Sequence, residues 1–304
     1  PIGSRGLGDV YKRQVSTTAG DHGTHVASTA TGVIGATTHG VAPDADIAYS
    51  YFNNSSGGKS ISLNRAEALD SARINNSAIA SNNSWGPCDA VSGPNCTSAY
   101  TYNELATEAA NNGRNIREQF AALNGGTTDA ATYITAMDNF QDSGVIVYAN
   151  SNFSSDTDAS CFAALPFYFN GTTDSVDLSD AWISVMYAEF TGTSLSGAST
   201  SDFSREGNPC GTAKEWCLVV DDTSIAAAGW VDSSNVSRYS IMGGSSMGAP
   251  QVSGMIALLS QAFPSHTPAQ LTDRLLASAN NAWFSPSGNT CLLYTSDAAD
   301  EVVS

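Results

Sequence analysis

The chain has 304 residues, with 12 Lys plus Arg against 29 Asp plus Glu and a formal charge of −17. That balance excludes the basic surface of a nucleic-acid binder and any hold on an anionic membrane surface. Apolar residues make up 41%, with 27 Gly and 5 Trp, so a core can be buried. No run approaches the ~20 apolar residues of a membrane-spanning helix.

Both ends read as foreign to the fold. Residues 4–14, SRGLGDVYKRQ, and 291–301, CLLYTSDAADE, look like translated sequencing-adapter DNA. DVYKRQ and CLLYTS can be encoded by opposite strands of one inverted repeat. Such scars stay out of fold reasoning. The expected organisation is therefore a single domain over 15–290, truncated at both ends, with 1–14 and 291–304 set aside as adapter-like. The acidic balance survives this trimming.

In chain order, a small-residue helix opens at GDHGTHVAS, Gly20 to Ser28. Helical patterns follow at Leu63–Ile74, Tyr102–Ala110 and Thr127–Phe140, and strand-like runs at Ile79–Ser81, Val145–Ala149, Trp182–Tyr187 and Leu218–Val220. Met247–Phe263 is almost wholly apolar, so it is expected to be central and buried. Thr267 can cap a last helix with Pro268 at its first position, ending near Ser278. Asn/Gly/Ser-rich stretches at 52–58, 88–98, 152–160 and 191–208 read as loops. Alternating strands and helices predict an α/β fold, a mostly parallel sheet with helices on both faces.

Cys88/Cys96 and Cys210/Cys217 are two closely spaced pairs in a Ser/Asn/Thr-rich chain. Such pairs suggest small surface disulfides and an oxidising compartment. Zinc is the rival, but its usual C-x2-4-C spacing is shorter. Cys161 is left over.

Two segments carry chemistry. GDHGTHVAS puts His22 at a helix start, and GGSSMGAPQVSG, Gly243 to Gly254, puts Ser246 at the start of the buried helix behind two glycines. Backbone N–H groups at a helix start point the same way as such a hydroxyl. A His and a Ser from distant segments, meeting above a parallel sheet, can form a nucleophile and its base.

HGTHVAS resembles the catalytic-His motif of the subtilisin-like serine proteases, and GGSSMGAPQVSG resembles their catalytic-Ser motif, G-T-S-M-A-x-P. In family order, GVAPDADI (Gly40 to Ile47) is similar to their G-V-A-P segment. NNSWG (Asn82 to Gly86) is similar to the substrate-pairing strand ending in S-x-G, and VIVYANSN (Val145 to Asn152) to the strand ending in A-A-G-N. CGTAKEWC followed by Leu218 resembles the branch found in autotransporter passenger domains of Gram-negative bacteria. The resemblance implies a three-layer subtilisin-like fold lacking its N-terminal strand. It implies His22 as general base, Ser246 as nucleophile and the Asn152 amide, beside the Ser246 N–H, as oxyanion donor. Ser84, Trp85 and Gly86, with Ala149, Asn150 and Ser151, would pair with an extended peptide. The substrate is then protein, the location secreted or cell-surface, and a membrane β-barrel would follow beyond Thr290. No cofactor is expected. Structural calcium is common in the family, but no ligand cluster stands out in the sequence.

Departures and rivals sharpen the reading. Ser151 stands where the family has Gly, Asn150 where it has Ala, Gly248 where Ala is usual and Gln251 where His is usual. Ser245 adjoins Ser246, and Asn150 competes with Asn152. His25 reads as a packing residue, and a His22/His25 zinc pair lacks a third ligand. The family's acid lies in a D-[TS]-G turn well upstream of the catalytic His, but only Val15 to Asp21 precede His22 here once the adapter-like residues are set aside. Asp21 cannot readily reach round to orient the neighbouring ring, and Asp142-Ser143-Gly144 falls too late, reading as a helix end turning into a strand. The chain as written is therefore expected to be nearly inactive. G-S-S-M-G also fits the nucleophile elbow of an esterase, which would have to use His266 as its base. A peptide-binding pseudoenzyme is the third class.

Overall fold

The computed structural model describes residues 21–33, 38–50, 58–88, 96–172, 175–192, 202–231, 237–279 and 292–293. The stretches read as adapter therefore lie outside the described residues, apart from Leu292 and Leu293. In chain order the elements are α1 (Asp21–Thr31), α2 (Ile61–Asn76), β1 (Ala80–Asn83), α3 (Tyr102–Asn111), α4 (Ile116–Leu123), α5 (Thr127–Gln141), β2 (Val145–Ala149), α6 (Leu165–Tyr168) and β3 (Trp182–Phe190). Then come β4 (Phe203–Arg205), a 3-10 turn (Gly211–Trp216), β5 (Cys217–Asp221), β6 (Ile225–Val231), β7 (Ser237–Met242), α7 (Ser245–Ala262), α8 (Pro268–Ser278) and β8 (Leu292–Leu293).

The main sheet runs β1-β2-β3-β5-β8, all parallel, with β4 antiparallel on β3. Buried on both faces, β2 reads as an unbroken apolar run, VIVYA. Its side chains alternate: Ile146 and Tyr148 join one core with residues of α3, α4 and α5, whereas Val145, Val147 and Ala149 join a second core with α7 and α8. Those two cores are the layer boundaries of a three-layer α/β fold, as the sequence pattern predicts. In the first, Tyr148 stacks on Trp182 with ring centroids 5.2 Å apart, and the Tyr133 and Tyr148 hydroxyls meet at 3.1 Å.

Local chemistry sets the helix ends. Thr101/Glu104, Asn115/Glu118 and Thr267/Gln270 are capping boxes opening α3, α4 and α8. α5 ends at Asp142, the Ser143 and Gly144 N–H groups both donate to the Phe140 carbonyl, and β2 follows at once. Asp142-Ser143-Gly144 is thus the predicted helix-to-strand turn.

The structure adds elements and moves one. α4 was not predicted, although N-x-x-E at 115–118 is its signature. β4 lies within a stretch read as loop. β6 and β7 form a separate antiparallel hairpin, its strands too rich in Ala and Ser to announce themselves. β1 is displaced toward Asn83, because its backbone is registered on β2 as far as Asn83 opposite Tyr148. Leu292 and Leu293 pair with β5, a contact any short extended apolar segment can make at an open sheet edge and one that says nothing of the segment's origin. Cys88–Cys96 and Cys210–Cys217 are disulfide-bonded, and Cys161 is a buried free thiol. Among the described residues no helix is long and apolar enough to cross a membrane.

Candidate active site

The C-terminal ends of parallel strands gather the site, as open α/β sheets generally do. Ser84–Gly86 leaves β1 and Asn150–Asn152 leaves β2, two strands in register as neighbours. α7 packs on β1, β2 and β3 and begins with Ser245 and Ser246.

Ser246 is half-buried, and its Oγ donates to the Ser84 carbonyl at 3.3 Å. In return Ser84 Oγ donates to the Ser246 carbonyl at 2.8 Å. The reason lies four residues on. Pro250 has no N–H, so the Ser246 carbonyl has lost its intrahelical donor and takes one from β1's end instead. Asn82 Nδ2 donates to Ser84 Oγ at 2.9 Å, and Ser253 Oγ reaches Asn82 Oδ1 at 3.1 Å. Asn82, Pro250 and Ser253 are thus part of the framework that seats Ser246. The sequence reading passed over them, although all three stand inside its motifs.

Asn152 is exposed, and its amide is held by one end. Oδ1 accepts from the Ser245 N–H and from Ser245 Oγ, both at 2.8 Å, while Nδ2 has no partner among the described residues. Gly244 lets the amide come this close: at its φ of 122°, an added Cβ would lie 2.9 Å from both Asn152 amide atoms. Asn150 is different. It is fully buried, Nδ2 donates to the Asn208 and Pro209 carbonyls and Oδ1 accepts from the Ser160 N–H. Its N–H donates to the Val185 carbonyl on β3. The Asn150 side chain is therefore spent on the fold, out of a ligand's reach, which leaves only backbone for the strand-like pairing expected of this stretch.

Ser151, between them, has φ 81°. This is the left-handed region, which costs a non-glycine residue about 1–2 kcal/mol. A close approach fixes the turn: a Cβ on Gly207 would lie 2.5 Å from the Ser151 carbonyl. Ser151→Gly is expected to release that strain, against about 0.5–1 kcal/mol of added chain entropy. A net gain near ~0.5 kcal/mol, read as a higher urea midpoint at unchanged slope, is the outcome that supports this; a lower midpoint speaks against it.

Ser84 and Trp85 are half-buried, Gly86 is exposed and Ala149 is buried. Trp85 turns its ring toward Tyr148 and Phe162, with centroids 5.5 and 5.1 Å away, and the Arg65 guanidinium lies 3.9 Å over it.

His22 stands exposed in the first turn of α1, which packs on α7 and β6. Among the described residues no hydrogen bond joins its ring to Ser246. Desolvation by surrounding protein, then the nearby His25, holds its pKa below the ordinary histidine value, so the ring is neutral at pH 7. His25 is fully buried, its Nε2 facing the Ile225 carbonyl at 2.9 Å and the Ser240 carbonyl at 3.2 Å. It clamps α1 to the β6–β7 hairpin, the packing role expected of it. Burial lowers its pKa and the two carbonyls only partly oppose this. The folded state therefore resists a proton that the unfolded chain accepts near pH 6.5, and stability is lost as pH falls through that value toward the folded pKa. His25→Gln, which keeps an N–H for the carbonyls, is expected to narrow the gap in Tm to the parent between pH 8 and pH 5. A constant gap would overturn this.

One rival loses ground. His266 sits beyond the far end of α7, its ring tilted against Phe263, about 24 Å of helix from Ser246 at 1.5 Å per residue, so the esterase reading has no base at the nucleophile. Among the described residues no three His, Cys, Asp or Glu are placed to hold a metal ion.

A hydroxyl at the N-terminus of a buried central helix, beside a fixed amide at the ends of parallel strands, defines the layout of a subtilisin-like α/β hydrolase. The family comparison agrees: residues 4–295 match the model of the subtilase family, and the chain belongs to that family of serine proteases. Similar solved structures include the prenylagaramide maturation protease PagA (17% identity over 94% of this chain and 84% of that one, TM-score 0.57). Fervidolysin from Fervidobacterium pennivorans, a keratinolytic enzyme, is 20% identical over 92% of this chain and 36% of its own, TM-score 0.57. A cold-adapted subtilisin-like serine proteinase is 20% identical over 90% and 73%, TM-score 0.53. At these identities the likeness speaks to fold. No curated protein matches the sequence.

Proposed function

We propose that the chain is the catalytic domain of a secreted serine endopeptidase. Ser246 attacks the scissile carbonyl, His22 takes the Ser246 proton and returns it to the leaving amine, and Asn152 Nδ2 with the Ser246 N–H holds the oxyanion. The observation carrying this reading is the one-ended clamp on Asn152. Ser245 occupies Oδ1, so the residue before Ser246 orients the amide, with its N–H2 unpartnered among the described residues. The peptide lies extended between Ser84–Gly86 and Ala149–Ser151, contributed by backbone at Asn150. The triad acid has no candidate at the family's position in this chain, and the reading places it upstream of Val15, with the chain as written close to inactive. The two disulfides and the acidic surface support an oxidising, extracellular location. CGTAKEWC supports the autotransporter-passenger branch, with a membrane β-barrel following.

The test is prolonged incubation with a fluorophosphonate and peptide mapping. Adduct at Ser246, slow but complete and absent in Ser246→Ala, is expected. A folded chain that binds peptide but takes no adduct would make it a pseudoenzyme.

A further inference from the structure

We propose that Asp222 is a positioning residue for Ser246, a buried carboxyl group on which the first turn of α7 is seated; the role rests on Ser246 being the nucleophile. Asp222 follows the last residue of β5 and is fully buried. Its neighbourhood grips the nucleophile turn from both sides. Before Ser246, the Gly244 N–H donates to the Asp222 carbonyl at 3.0 Å, and an added Cβ on Gly243 would lie 2.6 Å from the Thr223 carbonyl oxygen. After Ser246, a Cβ on Gly248 would lie 2.6 Å from Asp222 Oδ2 and 2.9 Å from Val185 Cγ1. The carboxyl occupies the hollow that the missing Gly248 side chain leaves, so the two residues form one packing unit under the turn.

Neither carboxyl oxygen has a hydrogen-bond partner among the described residues. The backbone N–H groups of Ala188, Gly248 and Asp222 itself lie near enough to favour the charged form, but burial outweighs them and Asp221 adds to it, pushing the pKa up to about 9. The titratable groups facing it are Asp221 on β5 and Tyr187 on β3, and the first turn of α7 contributes no acidic side chain. A neutral acid can sit in this hollow; a carboxylate draws water and loosens the turn.

The sign of the linkage follows. The folded pKa lies above the unfolded one, so the stability tied to this proton is fully present below about pH 4 and is lost as pH rises to about 9.

The test uses the 304-residue chain with Asp222→Asn, Gly248→Ala and Asp222→Ala/Gly248→Ala. Tm is measured from pH 5 to pH 10, with the saturating rate of fluorophosphonate labelling at Ser246. Asp222→Asn is expected to gain about 8 °C on the parent between pH 5 and pH 9. The parent's labelling rate is expected to fall about fivefold from pH 9 to pH 10, whereas that of Asp222→Asn stays level. Gly248→Ala alone lowers Tm and slows labelling, and adding Asp222→Ala restores most of both. Parallel Tm curves with pH-flat labelling overturn the role of Asp222 and leave the nucleophile standing. No labelling of the parent at any pH overturns the nucleophile, and with it the positioning role, whatever the Tm curves do.

Discussion

On the proposed reading that the triad acid lies upstream of Val15, a polypeptide extended there by its own gene's coding sequence is expected to hydrolyse casein about 10,000-fold faster than the 304-residue chain. His22 supplies the physical reason. Its pKa is already low, from desolvation and from His25, so at pH 7 it is neutral and has the lone pair a base needs. What it lacks is orientation, since no hydrogen bond to Ser246 holds the ring among the described residues. A carboxylate accepting from Nδ1–H would turn Nε2 toward the hydroxyl, fix the tautomer and stabilise the imidazolium formed as Ser246 attacks. Ser246 Oγ, now on the Ser84 carbonyl at 3.3 Å, would then have a better acceptor. A genomic read across both ends decides the premise: an in-frame D-[TS]-G upstream supports it. A read running unchanged through SRGLGDVYKRQ, or equal casein rates for the two chains, would sink it.

How much of this could be read from the amino acids depends on the range of the interaction. Local capping chemistry made the helix start at Thr267 with Pro268 legible, though the same kind of signal at Asn115 with Glu118 went unread, and the buried apolar run of β2 was legible too. Ser246 and Asn152 stood out because their neighbours are local: Gly244 and Ser245 precede the first, and β2 delivers the second. The Ser84–Ser246 exchange was hidden because it joins residues 162 positions apart through a carbonyl that Pro250 frees. Asn150 and Asn152 look alike in sequence, two residues apart on one loop. Only tertiary context separates them, because the segment 208–209 approaches one amide and not the other. Asp222 was invisible for the same reason, since nothing in VVDDTS says which Asp is buried; the structure leaves Asp221 exposed and buries Asp222 completely.

That contrast between the two asparagines gives the second large effect. In the extended chain, Asn152→Ala is expected to lower kcat about 100- to 1,000-fold with little change in KM. In the proposed role the amide donates to charge that exists only as the oxyanion forms, so its loss would weaken the transition state and not the bound substrate. Stability should fall only modestly, by about 1–2 kcal/mol, because the Ser245 N–H and hydroxyl lose their shared acceptor. Asn150→Ala should do the reverse. It leaves the Asn208 and Pro209 carbonyls and the Ser160 N–H unpaired in the interior, so a cost of about 3 kcal/mol or more falls on folding. The kcat of the fraction that folds, titrated with fluorophosphonate, should stay within about threefold of the parent, as the side chain cannot reach a ligand. Steady-state kinetics beside urea unfolding separates the two. If Asn150→Ala lost kcat and Asn152→Ala lost only stability, the oxyanion donor would have been assigned to the wrong residue.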